Sequence, residues 1–157
     1  ANTSLTLRQR CERRAGRLVV ARAGAWANLQ EVSLASERIE KMNAILRNLR
    51  TSLQEIEAAV LISSDAMALA SDISDEADEE MIGALSASVL GMGERAARDL
   101  KRGNLEQVYI KGDQGYLLLV QCGPDALLSL LVKPEAKMGV VFMEGKRTAE
   151  ELAKLFE

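Results

Sequence analysis

Five carboxylates stand within six positions: Asp75, Glu76, Asp78, Glu79 and Glu80. Carboxylates at this density can pair for acid–base work or hold a cation. They also precede a long stretch with helical periodicity, and a helix start favours negative charge through its dipole. No second ligand-bearing segment lies near them in sequence, so the capping reading ranks ahead of the chemical one. Arg95 and Arg147 are the arginines that could reach a bound nucleotide as a finger, a role that stabilises charge in phosphoryl transfer. The plainer reading of each is a solvated side chain on a helix. The thiols Cys11 and Cys122 stand far apart, with no metal-type spacing. Cys122 lies in an apolar run and reads as a buried free thiol, which suits a reducing cytoplasm.

The chain has no histidine. That removes the commonest general base, the commonest zinc ligand and every Ser-His or Cys-His arrangement. There is no Gly-Lys-Ser/Thr phosphate loop and no glycine fingerprint after a strand. The expectation is no catalytic residue, no cofactor site and no metal site. With 3% aromatic residues and a net charge of −3, base stacking and phosphate attraction are both poorly supplied, which argues against nucleic acid. No apolar run reaches the ~18 residues that a membrane helix needs.

The elements that would position these residues start with 75–103, which reads as one helix of small side chains. Acid at its start and Arg95, Arg98, Lys101 and Arg102 at its end complement the dipole; Ser74 precedes it and Gly103 offers a left-handed stop. Gly83, Ala87 and Gly91 form a small-residue seam, which lets another backbone approach. Met81, Ile82, Leu85, Val89 and Met92 are assigned mostly to the sheet. Such a helix spans about 42 Å against about 23 Å for a seven-residue strand, so it should overhang its own sheet and meet a second copy. Leu105–Lys111 follows with half-polar alternation, the mark of an edge strand. The expected dimer interface is therefore Gly83, Ala87, Gly91, Leu105, Gln107, Val108 and Tyr109, with Val108 expected to carry a ladder bond across the junction.

Residues 1–32 hold six arginines against two glutamates, so the rest carries the acidic balance behind the net −3. They read as a basic N-terminal extension, either a solvated tail or a contact for an acidic partner or membrane surface. The first methionine is Met42, which leaves open a processed product, an upstream extension or a foreign leader. A helix at 34–50 follows from Ile39, Met42, Ile45, Leu46, Leu49 and Leu53 at helical spacing. Glu57–Ser63 and Met67–Ser71 read as a hairpin about Ser64-Asp65. After the long helix come Leu105–Lys111, a Gly112–Gly115 turn, an apolar Tyr116–Cys122 covered on both faces, and Ala126–Val132. Pro134 opens the last segment, a helix by its periodicity, with Met138, Val141, Phe142, Gly145, Ala149, Leu152 and Phe156 on one face. The fold class is α/β: an α-β-β-α-β-β-β-α sandwich whose five-stranded, mostly antiparallel sheet carries helices on both faces.

That order over residues 33–157 resembles the roadblock/LC7 domain family, a profilin-like fold that includes MglB-like regulators of Ras-like small GTPases. The carrying residues are Glu55–Asp65, Leu69–Ser71, Gly115–Val120 and Gly145–Glu150. Ala66 departs from the pattern, because the family commonly has glycine there. The resemblance implies a dimer with a continuous sheet of both copies, homotypic or with a paralogue. It implies a non-catalytic adaptor or regulator that binds a Ras-like small GTPase and modulates its nucleotide cycle as a scaffold or GTPase activator. The alternative from another class is a ligand-sensing domain of profilin- or GAF-like architecture, which would leave one sheet face open over a polar pocket.

Overall fold

The computed structural model describes residues 7–75 and 77–157, with side chains from residue 28 onward. The elements run α1 (Leu7–Ser52), β1 (Ile56–Ser63), β2 (Ala68–Ile73), α2 (Glu79–Asp99), β3 (Gln107–Gly112), β4 (Gly115–Gln121), β5 (Ala126–Val132) and α3 (Met138–Ala153). The strands form one sheet in the order β2-β1-β5-β4-β3, and every neighbouring pair is antiparallel. The α-β-β-α-β-β-β-α order and the two-faced sheet are those read from the sequence.

Alternation along β1 explains the layering. Ala58, Val60 and Ile62 face α2, where they pack with Ile82, Leu119 and Leu127. Ala59 and Leu61 face the other way, with Leu118, Leu128 and Leu130, under Met42, Leu46 and Leu49 of α1 and Val141, Ala149 and Leu152 of α3. Near-continuous apolar runs are what strands buried on both faces require.

The helix expected at 34–50 is longer, because α1 begins at Leu7. No proline interrupts 7–52, and Gly16 and Gly24 weaken a helix without breaking it. The chain divides into two compact units, Ala1–Arg38 and Ile39–Glu157. The side chains of Cys11 and of the six N-terminal arginines lie outside those described.

The β1–β2 turn solves the missing glycine directly. Ala66 adopts φ 64°, a left-handed conformation that costs an L-residue about 1–2 kcal/mol. Ser63 holds the turn at both ends: its carbonyl accepts from Ala66 N–H at 3.0 Å, and its own N–H donates to Met67 O at 2.9 Å.

The boundaries of α2 correct the sequence reading. Asp78 is the N-cap, its carboxylate accepting from Met81 N–H at 3.1 Å, so Ser74 and Asp75 precede the helix. At the other end Arg102 N–H reaches Ala97 O at 2.7 Å and Lys101 N–H reaches Arg98 O at 3.1 Å. This is a Schellman stop, with Lys101 at φ 54° in the place expected for glycine. Gly103 also has positive φ, two residues later. At 21 residues the helix spans about 32 Å, so the overhang inferred from a longer helix is much reduced. The last helix, α3, starts at Met138, where the helical periodicity after Pro134 begins.

Candidate interaction surface at the open sheet edge

The two sheet edges are treated differently. At β2, Ser71 N–H donates to Asn43 Oδ1 at 3.2 Å, and Asp72 takes Arg50 Nη1 at 3.0 Å. Side chains of α1 thus occupy the outer rim of that strand. At β3 no described element lies beyond the strand. Unpaired backbone groups on an edge strand invite another chain to add.

The direction of those groups follows from the β3–β4 ladder. Gly112 pairs with Gly115 across a two-residue loop, and Glu106 O accepts from Gln121 N–H at 3.2 Å. Even-numbered residues of β3 therefore bond inward to β4, and Gln107, Tyr109 and Lys111 present N–H and C=O outward. Val108 lies opposite Leu119, so its N–H belongs to the intramolecular ladder. This corrects the expectation that Val108 carries a bond across the junction. Gly115 makes the turn possible: its φ is 148°, and a Cβ there would sit 2.5 Å from Val132 O.

Beside the open edge, α2 has two faces. Ile82, Gly83 and Ser86 are buried on the sheet side, and Ser86 Oγ lies 2.9 Å from Ser129 Oγ of β5. Met81, Leu85 and Met92 are 58%, 57% and 74% exposed. They lie on a single outer stripe, Leu85 about one turn and Met92 about three turns beyond Met81. The sequence reading assigned Met81, Ile82, Leu85, Val89 and Met92 mostly to the sheet, whereas three of the five face outward. The apolar arc of α2 is wide enough for two faces, and the polar Ser86 at the centre of the buried one disguised which was which.

The residues expected at the interface separate accordingly. Gly83 seats the helix on its own fold, since a Cβ there would meet Ala66 O at 3.2 Å. Leu105 and Val108 are half-buried and fill the space over Gly93, where a Cβ would lie 3.0 and 3.1 Å from their side chains. Ala87 is half-buried, whereas Gly91 is exposed, and a Cβ added there would find nothing within 4 Å. Gln107 and Tyr109 are exposed on the edge itself. Tyr109 stacks on Tyr116 at 5.7 Å and meets Phe142 edge-on at 5.3 Å. Three of the chain's five aromatic residues thus gather at this rim.

The residues considered for chemistry are not assembled into a site. Asp78 caps α2, and Glu79 accepts from the Ser71 hydroxyl at 2.9 Å. Asp75 and Glu80 are exposed, and Glu76 lies outside the described residues. No cluster of metal-ligating side chains occurs among the described residues. Arg95 is solvated beside Asp99 at 3.5 Å, and Arg147 is exposed on α3. Cys122 is a buried free thiol; burial pushes its pKa up to about 12, against a smaller opposing backbone hydrogen bond from Leu128. A cleft of about 780 Å³ opens where β3 begins, between the end of α2 and α3, lined by Arg98, Leu105, Gln107, Lys146, Ala149 and Glu150 among others. No helix among the described residues is long and apolar enough to cross a membrane.

Comparison with known proteins places this arrangement. The profile of the Roadblock/LC7 domain matches residues 42–132. An uncharacterised protein of Methanocaldococcus jannaschii is 30% identical over 101 residues, covering 64% of this chain and 88% of the relative. A solved MglB with tetrameric arrangement is 25% identical, covers 75% of this chain and 89% of its own, and superposes with a TM-score of 0.67. The gliding protein MglB from Thermus thermophilus shares the fold at 23% identity and a TM-score of 0.67, covering 75% of this chain and 90% of that one.

Proposed function

Since this chain belongs to the Roadblock/LC7 domain family, we propose that it is a non-catalytic, dimeric adaptor that binds a Ras-like small GTPase and modulates its nucleotide cycle. The observation that carries the reading is the asymmetry between the two sheet edges. One is covered by α1 side chains; the other is open beside an exposed Met81/Leu85/Met92 stripe. An edge strand and an adjacent apolar helix face are the two halves of an isologous contact, in which the same patch serves both copies. A tetrameric MglB among the similar structures supports self-association. Fully burying one large apolar side chain is worth about 1.5–3 kcal/mol, so the helix stripe can supply the driving force while the ladder supplies orientation. The two copies together would offer a GTPase a surface that neither has alone. The buried thiol of Cys122 suits a cytoplasmic setting.

Light scattering at micromolar concentration tests the first half: the expected mass is that of a dimer, and Leu85→Glu should shift it toward monomer without loss of helical signal. Co-elution with Ras-like GTPases from the same genome, loaded with GTP or GDP, tests the second. A monomeric wild-type chain would refute the dimer. A dimer that retains none of those GTPases in either state would refute the regulatory role.

A further inference from the structure

We propose that the second copy pairs with β3 in one register only, the one that sets Tyr109 on the twofold axis. The inference rests on the dimer reading above and goes further, because backbone direction restricts how two β3 strands can meet. Only Gln107, Tyr109 and Lys111 point their N–H and C=O groups outward, as the Gly112–Gly115 pair and the Glu106–Gln121 bond require. A twofold antiparallel pairing must match outward residues with outward residues. The axes that pair at least two outward residues of each copy fall at Val108, at Tyr109 or at Ile110.

With the axis at Tyr109, all three outward residues find outward partners within the strand, giving about six backbone bonds. With the axis at Val108 or Ile110, one outward residue on each copy faces a position beyond the strand end, and about four bonds remain. Side chains favour the same choice. The Tyr109 register sets Lys111 opposite Gln107 of the second copy, whereas an axis at Ile110 brings the two Lys111 side chains to diagonal positions, where like charges repel. It also joins the Tyr109–Tyr116 stacks of both copies across the axis. On the α2 face it makes Val108 and Ile110 close cross-strand neighbours, covering an Ile110 that is 42% exposed in one copy.

This register has a consequence for the cleft of about 780 Å³. Gln107 lines it together with Lys146 and Ala149. Lys111 of the second copy, lying opposite Gln107, stands at its rim. Each cleft is then built by both copies, and a segment seated in it touches both.

Cysteine cross-linking separates the registers. In a Cys11→Ser background, with buried Cys122 retained, Val108→Cys and Ile110→Cys chains are oxidised alone and as an exchanged mixture. Val108 and Ile110 bond inward, so across the junction they form non-hydrogen-bonded pairs with Cα atoms about 4.5 Å apart, within disulfide reach. The expected result is a disulfide-linked dimer in the mixture, exceeding either variant alone by about tenfold, because the homotypic Cα distances pass the ~7 Å limit. A dominant link in Val108→Cys alone places the axis at Val108. One in Ile110→Cys alone places it at Ile110. Either overturns the proposal, as does a dimer that links in no sample. Monomers by light scattering, before oxidation, would instead overturn the dimer reading on which the proposal rests.

Discussion

Ser86 and Ser129 illustrate how a buried polar pair selects a helix face. Both are 1% exposed and satisfy each other at 2.9 Å. Removing one hydroxyl leaves the other unpartnered in an apolar layer, which costs about 1–3 kcal/mol, whereas removing both is close to neutral. Ser86→Ala and Ser129→Ala should each lower stability by about 1–2 kcal/mol, and the double variant by less than their sum; chemical denaturation of the four proteins checks this. At Lys101 the left-handed conformation is held without glycine, so Lys101→Gly should raise stability by up to about 1 kcal/mol, read as a higher urea midpoint at unchanged slope. Cys122 titrates the other way from a salt-bridged acid. Its pKa rises from 9.0 unfolded to about 12 folded, so the unfolded chain loses its proton first. Its contribution is intact below pH 9.0 and is lost as pH rises toward about 12, at a slope of at most about 1.4 kcal/mol per pH unit. Urea midpoints at about pH 8 and about pH 10.5 should therefore fall further in the native chain than in Cys122→Ala.

At the scale of elements, β3 and α2 share a division of labour: each has one side committed to its own fold and one side uncommitted. In β3 the division alternates along the backbone. Proline tests it, because proline removes one donor and is tolerated where that donor faces outward or at the first residue of a strand. Gln107→Pro should weaken dimerisation and lower the thermal transition only by what the dimer contact contributes. Val108→Pro should lower the transition itself, because its N–H bonds to β4. Thermal melting and light scattering on both variants give the comparison. If the two behaved alike, the assignment of inward and outward residues would be wrong. In α2 the division is angular: Ile82 and Ser86 lie under the helix, and Met81, Leu85 and Met92 lie over it.

For the molecule as a whole, the sheet and its two covering layers draw on residues from Met42 onward. The compact unit that contains them begins at Ile39, although α1 runs unbroken from Leu7. A chain starting at residue 33 should therefore keep a cooperative thermal transition close to that of the full chain. Loss of cooperativity would show that the basic segment belongs to the core. Dimer mass should also survive the truncation, because β3 and the outer face of α2 both lie within the retained part.

Local chemistry made much of this protein legible. Alternation and apolar runs determined the strands, because a strand buried on both faces has no room for polar side chains. Turn residues placed the hairpins, and helical spacing identified the elements packed on the sheet. Together these specified the α-β-β-α-β-β-β-α order and an edge strand at β3. Capping residues were less legible: Asp78 and Lys101 took roles expected of Ser74 and Gly103, since several neighbours offered the same local chemistry and the packed ends of α2 chose among them. Which face of α2 is buried could be decided only in three dimensions. Its apolar residues cover more than one face, and the Ser86–Ser129 contact joins residues 43 positions apart. The difference between the two sheet edges was likewise invisible, because Asn43 and Ser71 lie 28 residues apart. A strand's own residues record that it can be an edge; whether another element covers that edge depends on where the rest of the chain comes to lie.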